Sequence, residues 1–191
     1  MTRKKVFIVF VPLVLVLVAL DRITKMWAAS ALSSAVATTS AATANGTNSA
    51  AAASAAAKTA QSYNFGLIDF TLVHNTGAAF GIGAQSTWLF IILASAIVLG
   101  IIIYLCFAKN VRLGFVVALS LLAAGGIGNI IDRVIFGYVI DFIEFSFFDF
   151  PVFNVADICV TCGVVLLFIY VLFFGTTAKK SKPTSGRSKR E

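Results

Sequence analysis

The sequence predicts an all-α integral membrane protein with four transmembrane helices and both termini in the cytoplasm. Three observations carry this reading. Apolar residues fill 59% of the 191 positions and charged residues only 12%, a balance far from that of soluble domains. The apolar residues form four blocks, approximately 6–27, 88–107, 113–131 and 155–174. Each can cross about 30 Å of hydrocarbon at about 1.5 Å per residue, and none alternates as a barrel strand does. Finally, eleven of the 15 Lys and Arg residues fall on one side of the resulting topology. Arg3, Lys4 and Lys5 precede the first span, Lys109 and Arg112 join the second to the third, and Lys179, Lys180, Lys182, Arg187, Lys189 and Arg190 follow the fourth. Basic residues beside spans are retained in the cytoplasm. The net charge of +7 is therefore a topology signal and a contact for membrane phospholipids, and no nucleic-acid partner is implied.

The first span resembles a cleavable signal peptide in having Arg3 to Lys5, an apolar run and small residues at 35–37. Asp21, Arg22 and Lys25 separate that run from any such cut site, and cleavage would leave only three spans, so an uncleaved anchor is expected. Residues 28–58 are a low-complexity tract of Ala, Ser and Thr, read as a weakly ordered outer insertion or a surface helix. Its sequon, Asn45-Gly-Thr47, is read as chance. One membrane domain then covers 1–178, and 179–191 form a disordered basic cytoplasmic tail.

Of eight acidic residues only Glu191 is cytoplasmic, so any chemistry belongs on the outer side. One histidine and three cysteines leave no disulfide framework, no metal site and no Ser-His-Asp arrangement, and no cofactor is expected. His74 reads as an interfacial hydrogen-bonding residue, and Cys106, Cys159 and Cys162 read as packing. An ionisable group at membrane depth costs at least about 2.5 kcal/mol, so each needs a partner or a task. Asp21 and Lys25, four apart, suit an ion pair. Asn129, Asp132 and Arg133 share a face at the end of the third span, behind small residues at 123–126 and 128 that permit close helix approach. Asn154 and Asp157 have the spacing of a helix cap and its third residue.

Capping leaves Asp141 unexplained, a carboxylate inside an apolar Ile and Phe stretch. Two carboxylates in a half-dry site share one proton, and that pairing polarises a water for attack on a peptide carbonyl. The helix N-terminus favours Asp157 as the ionised partner and leaves the proton to Asp141. Asp132 is also able to approach Asp157. The competing reading is a small proton-coupled transporter that uses intramembrane carboxylates. Carriers place such acids at the bilayer midplane, whereas Asp141 and Asp157 lie at span ends.

Asp21 with Lys25, Asn75-Thr-Gly-Ala-Ala-Phe80, Gly128-Asn-Ile-Ile-Asp-Arg133, Val139-Ile-Asp141-Phe and Phe153-Asn-Val-Ala-Asp157 occur in this order among the four spans. Together they resemble the bacterial lipoprotein signal peptidase, or signal peptidase II, family. The resemblance implies a membrane aspartyl endopeptidase of the bacterial cytoplasmic membrane, with its active site at the extracytoplasmic face. Such an enzyme removes signal peptides from prolipoproteins immediately before the diacylglyceryl-modified cysteine. It implies Asp141 and Asp157 as the catalytic pair, Asn75, Asn129, Arg133 and Asn154 as site-lining residues, and Asp21, Lys25 and Asp132 as their support. It also implies a small extracytoplasmic β element drawn from 65–80 and 138–153. The tract at 28–58 is longer than the family usual, and Ile140 stands where a valine is common.

Overall fold

The computed structural model describes residues 1–43, 62–64, 66–77 and 87–174. Helix α1 (Arg3–Thr43) is followed by strands β1 (Ser62–Asn64) and β2 (Ile68–Asn75), helices α2 (Thr87–Phe107) and α3 (Leu113–Phe136), strand β3 (Val139–Phe145) and helix α4 (Val155–Phe174). Four stretches are long and apolar enough to span a membrane: Arg3–Leu32, Thr87–Phe107, Leu113–Phe136 and Val155–Phe173. Large apolar side chains such as Ile8, Leu15, Ile92, Leu93, Phe168 and Leu172 stand exposed on their outer faces. That surface suits lipid and would be unfavourable in water.

Helix α3 is the central element, in contact with α1, α2 and α4. Its small residues set how closely it approaches α4. A side chain on Gly125 would strike the Ala156 carbonyl and Val160, and one on Gly163 of α4 would strike Leu122. Ala123 and Ala124 are fully enclosed, as expected where backbones meet with little between them. Toward the start of α1, Val6, Phe10 and Val14 pack with Ile101, Leu105, Val111, Val116 and Leu119. The Met1 amine donates to the Val111 carbonyl at 2.7 Å. The beginning of α1 and the α2–α3 turn therefore share one end of the bundle.

The other end carries an antiparallel sheet in the order β1-β2-β3. Helix α3 stops at Gly137, whose left-handed backbone (φ 82°) lets its N–H reach the Arg133 carbonyl at 3.1 Å and turns the chain straight into β3. In the β2–β3 register Val73 opposes Asp141 and Asn75 opposes Val139, with an irregularity between Phe70 and Val73. Phe153 bonds back to Ile143 in both directions, at 2.9 and 3.0 Å, which ties the entry of α4 to the sheet. Strands β2 and β3 fall within the two stretches expected to supply the sheet, and β1 lies just before the first of them.

One boundary differs from expectation. The Ala-rich tract does not begin a separate segment at Ala28, because α1 runs without a break to Thr43. Alanine is the strongest helix former, and nothing between Trp27 and Thr43 terminates the helix. Ala28 and Leu32 are also enclosed in a cluster with Phe142, and Trp27 lies edge-on to Phe70 with ring centroids 5.4 Å apart. This fastens the sheet to α1. Residues 44–58, with the sequon, and the basic tail at 179–191 lie outside the described residues.

Candidate active site

Under the sheet lies a cavity of about 540 Å³, lined among others by Asn75, Phe90, Asn129, Arg133, Asp141, Phe145, Phe153, Asp157, Thr161 and Cys162. Its polar groups collect at the sheet end, and its apolar walls come from α2, α4 and the β3–α4 loop. Strand alternation turns Asp141 inward, buried to 2% exposure. Its two oxygens accept from Asn154 Nδ2 at 2.6 Å and Asn75 Nδ2 at 2.8 Å. Burial first, and then the neighbouring charge of Asp157, push the Asp141 carboxyl up to about 6, against the lowering effect of its two amide donors and Lys25.

Asp157 is placed by the start of α4. Asn154 Oδ1 accepts the Asp157 N–H at 3.0 Å, while Asp157 Oδ2 accepts the Asn154 N–H at 3.1 Å. That reciprocal pair is a capping box. The free oxygen of Asp157 accepts from Asn129 Nδ2 at 2.8 Å. Asn154 thus bonds to both carboxylates at once, through its side chain to Asp141 and through its backbone to Asp157.

Arg133 reaches across the cavity wall. Its Nη2 donates to the Gly77 carbonyl at 3.0 Å, and its guanidinium lies 5.2 Å from the centroid of the Phe90 ring. Its Nε is buried without a protein acceptor. Asn75 closes the same corner, accepting the Gly77 N–H at 2.9 Å.

Behind this wall sit the remaining charges. Lys25 Nζ, fully enclosed, lies 3.0 Å from Asp21, 2.8 Å from Asp132 and 2.9 Å from Asn129 Oδ1. Asp21 Oδ1 accepts the Ala156 N–H at 3.0 Å, and Asp132 Oδ2 accepts the Ile140 N–H at 3.3 Å. Asp132 is therefore committed to cations and backbone and does not line the cavity, whereas Asp141 does. All nine residues singled out in the sequence converge here.

Three residues to which the sequence assigns no site role also belong to this region. Arg22 Nη1 lies 2.6 Å from Asp132. The signal for it was present, since an arginine at membrane depth requires a partner. Thr161 and Cys162, on the face of α4 below Asp157, line the cavity. Cys162 is exposed there while Cys159 is buried, so the packing role expected of both holds only for Cys159. His74, expected to hydrogen-bond at the interface, is exposed and stacks on Tyr138 with ring centroids 4.2 Å apart.

Four membrane spans with a small sheet over one end define a multi-pass membrane protein, in which buried Asp141 and half-buried Asp157 share one cavity beneath that sheet. The family model for signal peptidase (SPase) II matches residues 13–173. The lipoprotein signal peptidase of Symbiobacterium thermophilum is 46% identical over 109 residues, which is 56% of this chain and 72% of that one. That of Streptococcus pyogenes serotype M2 is 34% identical over 160 residues, 84% of this chain and 90% of its own. Two solved structures described as a bacterial membrane enzyme, each 28% identical, superpose with TM-scores of 0.66 and 0.62. The first covers 90% of this chain and 92% of its own, the second 86% and 92%. The chain belongs to the signal peptidase II family.

Proposed function

We propose that this protein is an aspartic endopeptidase that removes the signal peptide of prolipoproteins immediately before the diacylglyceryl-modified cysteine. The observation that carries the reading is the sharing of one cavity and one residue, Asn154, by Asp141 and Asp157. The elevated Asp141 carboxyl suits the proton-holding partner. Asp157, at the positive end of α4, suits the ionised one.

The chemistry follows from that division. Asp157 takes a proton from water as the water oxygen attacks the scissile carbonyl, and Asp141 gives its proton to the carbonyl oxygen. The tetrahedral intermediate collapses as Asp141 recovers that proton and Asp157 delivers its own to the departing amine of the cysteine. The products are a signal peptide with a new carboxyl group and a lipoprotein with a free amino group. Arg133 and Asn75 hold substrate carbonyls on the cavity wall, and Asn129 keeps Asp157 oriented. Asp21, Lys25 and Asp132 anchor these groups from behind. Water and two acids suffice, so the mechanism calls on no metal or cofactor.

The protein acts in the bacterial cytoplasmic membrane with its cavity facing away from the cytoplasm and its exposed apolar faces on phospholipid. The Met1–Val111 contact supports this orientation, since it gathers Arg3, Lys4, Lys5, Lys109 and Arg112 at the bundle end remote from the carboxylates. The location of Asp141 on a strand outside the spans favours hydrolysis at the boundary over a proton relay at the midplane.

The test is cleavage of a diacylglyceryl-modified prolipoprotein by purified protein, followed by gel mobility. Asp141→Asn and Asp157→Asn should each lower the rate by roughly a thousandfold, the scale of lost acid–base catalysis. Full processing by Asp157→Asn would overturn the reading.

A further inference from the structure

Arg22 neither lines the cavity nor touches a carboxylate that does, and at 21% side-chain exposure it is the most accessible member of the charge cluster. Its Nη1 lies 2.6 Å from Asp132 Oδ1 and its Nη2 3.3 Å from Asp21 Oδ2. Lys25 bridges the same two acids at 3.0 and 2.8 Å. Two cations and two anions thus close on one another as a formally neutral quartet, and three of the four are at most 1% exposed.

The quartet grips the active site at three points. Asp21 holds the Ala156 N–H, next to Asp157. Asp132 holds the Ile140 N–H, next to Asp141. Lys25 holds Asn129, which bonds to Asp157 directly. Any charge left over in the quartet is therefore felt by both carboxylates through protein, with little bulk water between.

We propose that Arg22 is a positioning residue of the peptidase, setting the pH window in which one catalytic carboxyl is protonated and the other ionised by holding the charge of the quartet at zero. The inference rests on the Asp141–Asp157 reading. The titratable groups around the pair are Asp21 and Lys25 from α1, with Arg22 behind them, Asp132 and Arg133 from α3, and the thiols of Cys159 and Cys162 from α4. On β2 and β3, Asp69 and Glu144 line a separate pocket with Asp149, and His74 is exposed beside Tyr138. Without Arg22 the quartet carries one negative charge. At a separation of order 10 Å and an effective dielectric constant near 20, such a charge raises a carboxyl by roughly one pH unit. Both limbs of the activity profile should then move to higher pH together.

The experiment compares full-length wild type, R22K, R22Q and the double variant R22Q/D132N in lipid nanodiscs. Cleavage of a diacylglyceryl-modified prolipoprotein is followed across pH, with kcat and KM separated. R22Q should shift both limbs upward by roughly one pH unit and leave KM within about twofold. R22K should keep the wild-type limbs. The double variant, whose quartet is again neutral, should return the limbs to their wild-type positions whatever its absolute rate. Wild-type limbs in R22Q with only a lower unfolding temperature would reduce Arg22 to a structural role and overturn the proposal. If R22Q does not fold, displaced limbs in the double variant overturn it instead. Failure of the underlying mechanism would show separately, as cleavage by D157N.

Discussion

Lys25 and Asn129, 104 positions apart in sequence, meet at 2.9 Å inside the protein, and the contact fixes the direction of the Asn129 amide. With Lys25 Nζ and Asn154 Nδ2 both directed at Asn129 Oδ1, the NH2 group is left to face Asp157. A side chain at the core of the charge quartet thereby orients the acid proposed as base.

Replacing Lys25 by Met should be among the most damaging single changes. It leaves Asp21 and Asp132 buried with only Arg22 between them, and breaking such a pair costs about 3–5 kcal/mol. Thermal unfolding in detergent should show a large drop in midpoint, and cleavage should fall with it.

Asp141 should also make stability depend on pH. Its carboxyl titrates near 3.8 when unfolded and near 6 in the fold. The native state therefore binds the proton more tightly, and stability falls as pH rises through that window. The Asp141 contribution is fully present below about 3.8 and is lost above about 6. Unfolding midpoints measured across this range should decline for wild type and decline less for Asp141→Asn.

Asn154 has two separable tasks. Asn154→Ser keeps an oxygen able to cap the Asp157 N–H, so stability should change by less than about 1 kcal/mol. The variant lacks the donor that holds Asp141 at 2.6 Å. Activity should drop by at least about tenfold, the value of one lost bond to a charged group. Equal losses of stability and rate would contradict this division.

Gly128 sits where a Cβ would come within 2.6 Å of Asp21 Oδ2 and 3.1 Å of the Ala156 methyl. Gly128→Ala must push Asp21 away from the Ala156 N–H, at a cost of about 1–3 kcal/mol. The unfolding midpoint and the cleavage rate should fall together, because the displaced acid supports the turn that carries Asp157.

The parts of this protein legible in the sequence are those written in strong local physics. Hydrocarbon thickness sets the length of the spans, and basic residues mark their ends. The Asn154-x-x-Asp157 spacing announced its capping box, and the cost of charge in lipid flagged Asp21, Lys25, Asp132 and Asp141. Long-range register was not legible. Nothing local told that Asp132 would turn back to Arg22, Lys25 and the Ile140 N–H while Asp141 faced the cavity, since that depends on how α3 rotates against α1. The continuation of α1 past Ala28 was hidden for a related reason. A tract of Ala, Ser and Thr gives no amphipathic signal, and only its contact with Phe142 shows that part of it is packed.

Since one unbroken rod carries Arg22 and Lys25 on one turn and Trp27, Ala28 and Leu32 on the next two, the canopy over the cavity and the ionic floor beneath it hang from a single beam. Tilting that beam moves both together. Asp141 and Asp157 stand at opposite ends of the Phe-rich link from β3 to α4, so any flexing of that link alters the spacing of the two acids directly.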